Sequence, residues 1–483
     1  MQGQATCRTG QHAGPGNMQD RSTCRTRSTC RTGQHAGPVN MQGSDTPTNI
    51  ICTRHCKMSA HCARACSATG VEKNETGITV REQTELHVCN SATHEFVYSH
   101  RDFIRSGVRW LDKRRVGSIS DCGAGQPLSR FDLTLRLGWQ EKEKLGFFRY
   151  HLGDLQTKIL PGPHGFVAQL NIQRGKERRK PQEIQSIKQS FNPNQFNFNK
   201  IQPGEILFEI RKQNKHGPST EPQFTVSNGH SISGTEAAID PAGPAYLDDG
   251  VTHTKTLVVI NVSPLEFGHC LIIPEPSLCL PQVLTRDVVR IGIETVLLSS
   301  HPGFRVGFNS LGAFASVNHL HLHGYYVDHM LRIESARTEP LCPGKAFHLL
   351  PDSPAGFLFY TEGECLGTLI QNICKVTDCL VEKNIAHNLF VTRGRHPGTP
   401  LHSGPSRPGI RVIIWPRVSC FGAKEEAAFN VALCELAGHL PFKNRKDFDR
   451  ITEAEVTEIV QKYLLPEKEF SMLQSQLMHV LQE

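Results

Sequence analysis

The chain has 483 residues, 38% of them hydrophobic, which is enough for one large folded domain or two smaller ones. Ten Lys and Arg against six Asp and Glu within residues 1–92 carry +4 of the formal net charge of +7, so the remaining charge is nearly balanced. This balance argues against a strongly basic nucleic-acid-binding domain, and no apolar run reaches the roughly 18 residues of a membrane-spanning helix.

Cysteine usage and the polar N-terminus predict an intracellular protein. The chain has 17 cysteines, an odd number, and it lacks the apolar core of an export signal. We therefore expect mostly free thiols, a soluble cytoplasmic protein and neither a membrane nor a nucleic-acid partner. The basic cluster GKERRK, which contains Arg178 and Arg179, is too short to change that expectation.

The first 92 residues contain an internal repeat. The stretch TCRTGQHAGPGNMQ at residues 6–19 returns almost unchanged as TCRTGQHAGPVNMQ at residues 29–42. Neither copy places apolar residues at a helical or strand period, so residues 1–92 are expected to be a disordered extension.

Cysteines and histidines near the end of this extension invite a zinc interpretation. Their spacing differs from the close Cys pairs, separated by a longer loop, that structural zinc sites use. We therefore interpret them as part of the repetitive sequence: Cys52, His55, Cys56, His61, Cys62 and Cys66.

The folded part is expected to begin near Phe96, where aromatic and aliphatic residues first mix, and to continue with a helical segment over residues 131–150. Short β-branched runs then predict strands at TLVVINV from Thr256 and at CLIIP from Cys270. The turn residues SPLEFG between them predict a hairpin or a closely connected pair.

A helix is expected over residues 284–298, because apolar residues recur there with helical spacing. FRVGF from Phe304 and HLHLHGYYV from His319 predict two more strands. The succession of two strands, a helix and two strands predicts an α+β fold with an antiparallel sheet and helices.

A similar but weaker pattern of predicted strands follows downstream. NLFVTRG from Asn388 and RVIIWPR from Arg411 predict two strands, separated by a Gly-, Pro- and Ser-rich loop and without a histidine trio. Two further helices are expected, one from about Glu425 to Ala437 closed by Gly438, and one opened by the capping box of Thr452 and Glu455 and ended before Pro466.

The run NHLHLHGYY carries the most specific chemistry. In a strand, His319, His321 and His323 would project from one face, while Leu320 and Leu322 would face a core. Three histidines on one face do not serve packing, because every buried ring has two nitrogens that need partners. The alternatives are a solvated or hydrogen-bonded face, a metal site and a nucleophilic centre.

The residues around the trio favour the nucleophilic centre. His269 lies in GHCLIIPEP and Asn309 in GFNS, and Ser316 and Asn318 directly precede the trio. These neutral donors suit phosphate oxygens, and the motif contains no acidic metal ligand. An imidazole with a pKa near ~6.5 can attack phosphorus at neutral pH, so we expect neither a metal nor a cofactor. The neighbouring histidines can hold its tautomer and protonate the leaving oxygen.

GHCLIIP, a helix and GFRVGFNSLGAFASVNHLHLHGYY together resemble the histidine-triad superfamily. The segments GFFRYHLGDLQTKILPG, GFVAQLN, FNPNQFNFNKIQPGEILF, NVSPLEFGH, AHNLFVTRG and FNVALCELAGHLP further resemble the animal GDP-glucose phosphorylases, relatives of plant GDP-galactose phosphorylase and of galactose-1-phosphate uridylyltransferase. The resemblance implies two related halves, a catalytic domain at 93–340 and a half without the triad at 341–483.

The same resemblance implies roles for individual residues. His321 would be the nucleophile that becomes guanylylated, with His319 and His323 orienting it and binding phosphate. Asn199 and Lys200 would lie near the nucleoside, although their segment could equally be an ordinary strand with alternating aromatic residues. The implied substrate-binding residues are His269, Asn309, Ser316, Asn199 and Lys200.

The implied reaction is GDP-glucose with inorganic phosphate to GDP and glucose 1-phosphate. One residue leaves the acceptor open: plant phosphorylases and uridylyltransferases have glutamine at the third motif position, whereas this chain has His323, as nucleotide hydrolases do. The flanking segments favour the phosphorylase. A GDP-sugar hydrolase, a phosphorylase for another GDP-hexose and a guanine-nucleotide-binding regulator without turnover are the alternatives.

Overall fold

The computed structural model describes residues 94–109, 127–213, 255–352, 354–399, 406–421 and 428–483. The extension predicted over residues 1–92, with its repeat and its cysteine cluster, lies outside these ranges. In the part of the chain that the structure describes, no helix is both long enough and apolar enough to cross a membrane.

The described residues form strands and helices with the following bounds. The strands are β1 (Glu95–Tyr98), β2 (Val108–Arg109), β3 (Gln156–Ile159), β4 (Val167–Leu170), β5 (Ile206–Lys212), β6 (Thr256–Ile260), β7 (Cys270–Pro274), β8 (Phe304–Asn309), β9 (Leu322–Tyr326), β10 (Glu339–Cys342), β11 (Phe347–Leu350), β12 (Gly356–Thr361), β13 (Ala386–Gly394), β14 (Ser406–Arg407), β15 (Gly409–Arg417) and β16 (His439–Phe442). The helices are α1 (Arg130–Lys144), α2 (Ile172–Glu177), α3 (Arg286–Leu298), α4 (Leu366–Glu382), α5 (Leu433–Leu436), α6 (Arg445–Arg450), α7 (Glu453–Gln461) and α8 (Glu467–Gln482).

One large sheet organises the fold. Within the described residues it has eleven strands in the order β1-β5-β6-β7-β9-β8-β13-β15-β12-β11-β10. All neighbouring pairs are antiparallel except β1 with β5. The predicted α+β class is thereby confirmed, as are the hairpin of β6 and β7, the helix α3 and the downstream strands β13 and β15.

The sheet contains two successions with the same order of strands. β6, β7, α3, β8 and β9 give the spatial order β6-β7-β9-β8, and β11, β12, α4, β13 and β15 give β11-β12-β15-β13. The two sets join where β8 pairs with β13, with Asn309 opposite Asn388. Two related halves thus share one sheet, while the domain borders at residues 93 and 340 stay a prediction.

Strand alternation gives this sheet two different faces. Phe304, Val306 and Phe308 of β8 join a core that includes residues of α3 and α4, and Leu322 and Tyr326 of β9 join the same core. The intervening positions point to the opposite face, where one core includes Tyr325, Phe390 of β13 and residues of α5 and β16. His323 and Asn309 belong to that opposite face.

The strand predicted at His319 and the helix predicted at Glu425 both begin later in the chain than expected. The strand predicted from His319 begins only at Leu322, because the N–H of Leu320 donates to the carbonyl of Leu280 and that of His321 to a side chain instead of a neighbouring strand. The helix predicted from Glu425 to Ala437 is helical only at α5. Residues 428–432 are not helical, and residues 425–427 lie outside the described ranges.

The ends of several helices follow local capping rules. The predicted helix over residues 131–150 ends at Lys144, and Gly146 follows in the left-handed region at φ +75°. Gly438 follows α5 at φ +95°. The capping box of Thr452 and Glu455 opens α7 as predicted, with the Thr452 hydroxyl accepting from the N–H of Glu455.

Candidate active site

The second face of the sheet contains a cavity of about 270 Å³ next to β8 and β9. Four of the predicted site residues line it: His269, Asn309, Ser316 and His323. They meet because β7, β8 and β9 are adjacent, and because alternate residues of a strand share one face. The remaining walls come from α2, the chain that follows it, and the segment around α5 and β16.

His321 lies beside this cavity and is 2% exposed. Its ring centroid is 5.0 Å from that of His323 and 4.9 Å from that of Phe198. Its Nδ1 atom lies 2.7 Å from the carbonyl oxygen of His319. Because a carbonyl oxygen can only accept, Nδ1 carries the proton and the lone pair of the neutral ring is on Nε2.

The backbone of His321 is held by a residue that the sequence analysis did not single out. The Oε1 atom of Gln282 accepts from the N–H of His321, and its Nε2 atom donates to the carbonyls of His321 and Asn309. Gln282 is 1% exposed and precedes α3. Burial lowers the pKa of His321 to about 4, so the ring is neutral at physiological pH.

His319 has both ring nitrogens engaged with backbone groups. Its Nδ1 atom accepts from the N–H of Phe198 at 3.0 Å, and its Nε2 atom lies 3.1 Å from the carbonyl oxygen of Pro276, to which it donates. The ring stacks on Phe198 with centroids 5.4 Å apart. This geometry suits the predicted orienting role, through the carbonyl that holds His321, and leaves neither nitrogen of His319 available to a phosphate.

His269 and His323 form a hydrogen-bonded pair. The Nδ1 atom of His269 accepts from the N–H of Leu265 at 2.8 Å, so the proton of its neutral ring is on Nε2. That atom lies 3.1 Å from Nδ1 of His323. Nδ1 of His323 therefore accepts, and its Nε2 atom carries a proton that it can donate. Burial lowers the pKa of both rings well below the usual range.

Asn309 presents its amide nitrogen as a donor. Its Oδ1 atom accepts from the Nδ2 atom of Asn388 at 2.6 Å and from the N–H of Leu433 at 3.0 Å. The oxygen is thus occupied on the protein side, and the amide nitrogen is the end suited to a phosphate oxygen. Ser316 lines the same cavity. Asn318, in contrast, uses its amide to hold the backbone of Gln189 and Ser190.

The segment of Asn199 and Lys200 is neither a strand nor part of the cavity wall. Residues Phe198–Lys200 form a 3-10 turn. The Nδ2 atom of Asn199 donates to the carbonyl of Pro276, and Nζ of Lys200 donates to the carbonyls of residues 193, 194 and 195. The interpretation as an alternating strand is therefore wrong. In this geometry Lys200 stabilises its own loop and Asn199 ties the turn to the segment of Pro276, and Phe198 is the residue of this turn that contacts His321.

The basic cluster near residue 178 was not predicted to belong to the site. Arg178, Arg179 and Lys180 of this cluster line the same cavity as His323, together with Arg174 of α2 and Lys443 from the chain after β16. The run GKERRK was visible in the sequence, but its position beside the histidines was not, because about 140 residues separate it from the trio.

Three or more His, Cys, Asp or Glu side chains grouped as a metal site would need are not found among the described residues. The expected independence from metal stays a prediction, which chelation tests below.

Comparisons with known proteins identify the family of this chain. Residues 130–233 and 241–325 match a family described as "GDPGP1-like, N-terminal domain", and residues 333–483 match "GDPGP1-like, C-terminal domain". GDP-D-glucose phosphorylase 1 of Xenopus laevis is 53% identical, covering 83% of this chain and 100% of the relative. The protein of the same name from Homo sapiens is 49% identical, covering 80% and 92%. The solved structure of yeast Ap4A phosphorylase Apa2 with AMP is 12% identical at a TM-score of 0.40, covering 70% and 97%.

Proposed function

Since the chain belongs to the GDPGP1-like family, we propose that it is a nucleotidyltransferase that converts GDP-glucose and inorganic phosphate into GDP and glucose 1-phosphate. Relatives named GDP-D-glucose phosphorylase 1 are about half identical to it over nearly their whole lengths. Four predicted site residues line one cavity, and His321, the proposed nucleophile, lies next to His323 of that cavity with ring centroids 5.0 Å apart. The cytoplasmic location stays an expectation from the sequence.

The reaction proceeds by two displacements at the phosphorus next to guanosine. The Nε2 lone pair of His321 attacks this phosphorus, and the bond to the bridging oxygen breaks as glucose 1-phosphate leaves. An oxygen of inorganic phosphate then attacks the phosphorus of the guanylyl-histidine. The phosphorus–nitrogen bond breaks, its electron pair returns to Nε2 of His321, and GDP is released.

The single observation that carries this mechanism is the hydrogen bond from Nδ1 of His321 to the carbonyl of His319. It holds the proton on Nδ1, so that a neutral ring presents its lone pair at Nε2 without needing a separate base. The Nε2 proton of His323 is suited to the bridging or a non-bridging oxygen, and Asn309 and Ser316 are suited to the non-bridging oxygens, where negative charge develops.

Trapping the intermediate tests this proposal. Protein mixed with GDP-glucose in the absence of phosphate and then denatured should carry GMP through an acid-labile, base-stable phosphoramidate, with one glucose 1-phosphate released per GMP bound. His321→Ala should bind no GMP and lose turnover while remaining folded. The matched control is His479→Ala, an exposed histidine on α8, which should behave as wild type.

Product analysis separates the phosphorylase from the GDP-sugar hydrolase. A phosphorylase forms GDP at a rate that depends on phosphate, whereas a hydrolase forms GMP at a rate that does not. GMP as the main product at saturating phosphate, or a His321→Ala variant that retains most of its activity, would contradict the proposed function.

A further inference from the structure

Five cationic side chains line the cavity that contains His323 and Asn309: Arg174, Arg178, Arg179, Lys180 and Lys443. We call these five residues the cationic wall. Four of them belong to α2 or to the three residues that follow it, and Lys443 directly follows β16. Neither the histidine trio nor the nucleophile mechanism accounts for so much positive charge at this position.

The negative charge on the same wall is much smaller. Among the described residues that line the cavity, Glu435 is the one carboxylate. Its Oε2 atom already accepts from the N–H of Ala432 and from the thiol of Cys434. Burial raises the pKa of Glu435, which weakens it further as a counterion. The wall therefore has an excess of positive charge in a partly enclosed space.

The wall is fixed to the strands that carry the histidines. Oδ1 of Asn171 caps α2 by accepting from the N–H of Arg174, while its Nδ2 donates to the carbonyls of Pro264 and Leu265. Arg174 itself donates to the carbonyl of Ser263. These contacts tie α2 to the turn between β6 and β7, which ends at His269. The α2 part of the wall is thus positioned relative to the histidines before any ligand binds.

Arg178 and Lys443 are two members of the wall with weakly compensated charge. Within the described residues Arg178 has no ion pair with a carboxylate, and burial together with the neighbouring Arg174 lowers its pKa to about 10, although the charge of Glu435 opposes this shift. Lys443 donates to Oδ1 of Asn430, a neutral partner, and its pKa is also lowered by burial. Clustered and partly desolvated cations are unfavourable in the absence of an anion.

We propose that the cationic wall is a phosphate subsite and that it makes phosphate rather than water the acceptor. It binds inorganic phosphate in the forward reaction and the phosphate group of glucose 1-phosphate in the reverse reaction. A phosphate dianion matches guanidinium and ammonium donors, whereas water has no charge to be attracted. The bound phosphate attacks the guanylyl phosphorus with one oxygen, while the phosphorus–nitrogen bond to His321 breaks.

This subsite rests on the proposed function, and it explains how a chain with histidine at the third motif position can be a phosphorylase. His323 is suited to donating to an oxygen of the reacting phosphates whichever acceptor attacks. The choice of acceptor is then made by a different part of the cavity, namely the charge contributed by α2 and by the chain after β16.

Isolated guanylyl-enzyme provides the test, because the rates of its reaction with phosphate and of its reaction with water can be measured separately. Guanylyl-enzyme is prepared with GDP-glucose, freed of small molecules and chased with inorganic phosphate over a range of concentrations or with buffer alone. GDP release reports attack by phosphate, and GMP release reports attack by water. The variants are Arg178→Gln and Lys443→Gln, and the matched control is Lys176→Gln, an exposed residue of α2 outside the cavity wall.

We expect each wall variant to lower the second-order rate constant for phosphate by at least about tenfold, the effect of losing one charge-assisted hydrogen bond. GMP release into buffer should stay within about twofold of wild type. Lys176→Gln should change neither rate. Arg178→Lys should recover part of the loss, because it restores the charge but not the two-pronged geometry.

A second measurement uses the wild-type protein, so the test does not depend on the folding of a variant. Sulfate, a dianion of similar shape, should compete with phosphate for guanylyl-enzyme, while chloride at equal ionic strength should compete much less. Unchanged phosphate rates in both wall variants, an equal fall in both rates or no competition by sulfate would overturn the subsite. If wild-type protein forms no guanylyl-enzyme, the proposed function and the subsite both fail.

Discussion

The Nε2 atom of His269 lies 3.1 Å from Nδ1 of His323, while Nδ1 of His269 accepts from the N–H of Leu265. A backbone amide thereby determines the tautomer of His269, and through it that of His323. We therefore propose that His269 acts on the reaction mainly as a positioning residue, although it also lines the cavity.

Replacing His269 should separate its positioning role from packing. We expect His269→Leu to slow guanylylation by about tenfold to a hundredfold, because His323 loses the donor that keeps the proton on its Nε2 atom. His269→Gln should be closer to wild type, since its amide can donate to His323 and accept from Leu265. Single-turnover release of glucose 1-phosphate measures both. Equal rates for the two variants would contradict the positioning role.

Gln282 should contribute to both stability and rate. Its amide bonds the N–H and the carbonyl of His321, and Gln282→Leu would leave these buried groups unpaired at a cost of about 1–3 kcal/mol each. We expect a lower melting temperature and slower guanylylation. Gln185→Leu, the same substitution at an exposed position, is the control and should leave both unchanged. Guanylylation at the wild-type rate in Gln282→Leu would show that the hydrogen bonds from Gln282 do not position His321.

Buried neutral histidines should make the fold sensitive to acid. Burial lowers the pKa of His321 and His387 to about 4 and that of His439 to about 3, whereas an unfolded histidine titrates near ~6.5. Below about pH 6.5 the unfolded chain takes up protons that the folded chain does not. The free energy of unfolding should therefore decrease as pH falls from about 6.5 towards 4, by up to about 1.4 kcal/mol per pH unit for each such histidine.

Thermal denaturation between about pH 7.5 and 5 measures this dependence. His387→Leu should reduce the slope, because this residue is 1% exposed and its Nε2 atom has no hydrogen-bond partner among the described residues. Identical melting temperatures across this range would mean that the buried histidines do not control the acid stability.

Chelation should leave turnover intact. Nδ1 of His321 donates to a carbonyl, and both nitrogens of His319 are bonded to backbone groups. His269 donates to Nδ1 of His323. These ring nitrogens are therefore used in hydrogen bonds within the protein and not left to bind a metal ion. We expect protein treated with EDTA to keep its rate and to trap GMP after brief denaturation. Activity lost on chelation and restored by zinc, with no trapped nucleotide, would return the trio to the metal-site interpretation.

The local sequence pattern predicted secondary structure correctly where contacts between neighbouring residues determine it. The strands β6, β7, β8, β13 and β15 were predicted because strand propensity and burial agree there. The predicted helix at Glu425 failed because the N–H of Leu433 bonds the side chain of Asn309, more than 120 residues away, and the helix starts only at this residue. Local propensity does not contain such a contact.

The sequence by itself determined the α+β class, the identity of the histidines and the resemblance to a family. These follow from residue types and their spacing, which are properties of the chain. Only the tertiary structure decided the tautomers of His321 and His323, the engagement of both nitrogens of His319 and the position of the cationic wall beside them. The physical reason is that each depends on hydrogen bonds or charges from segments far apart in sequence, which the sheet and α2 bring into one cavity.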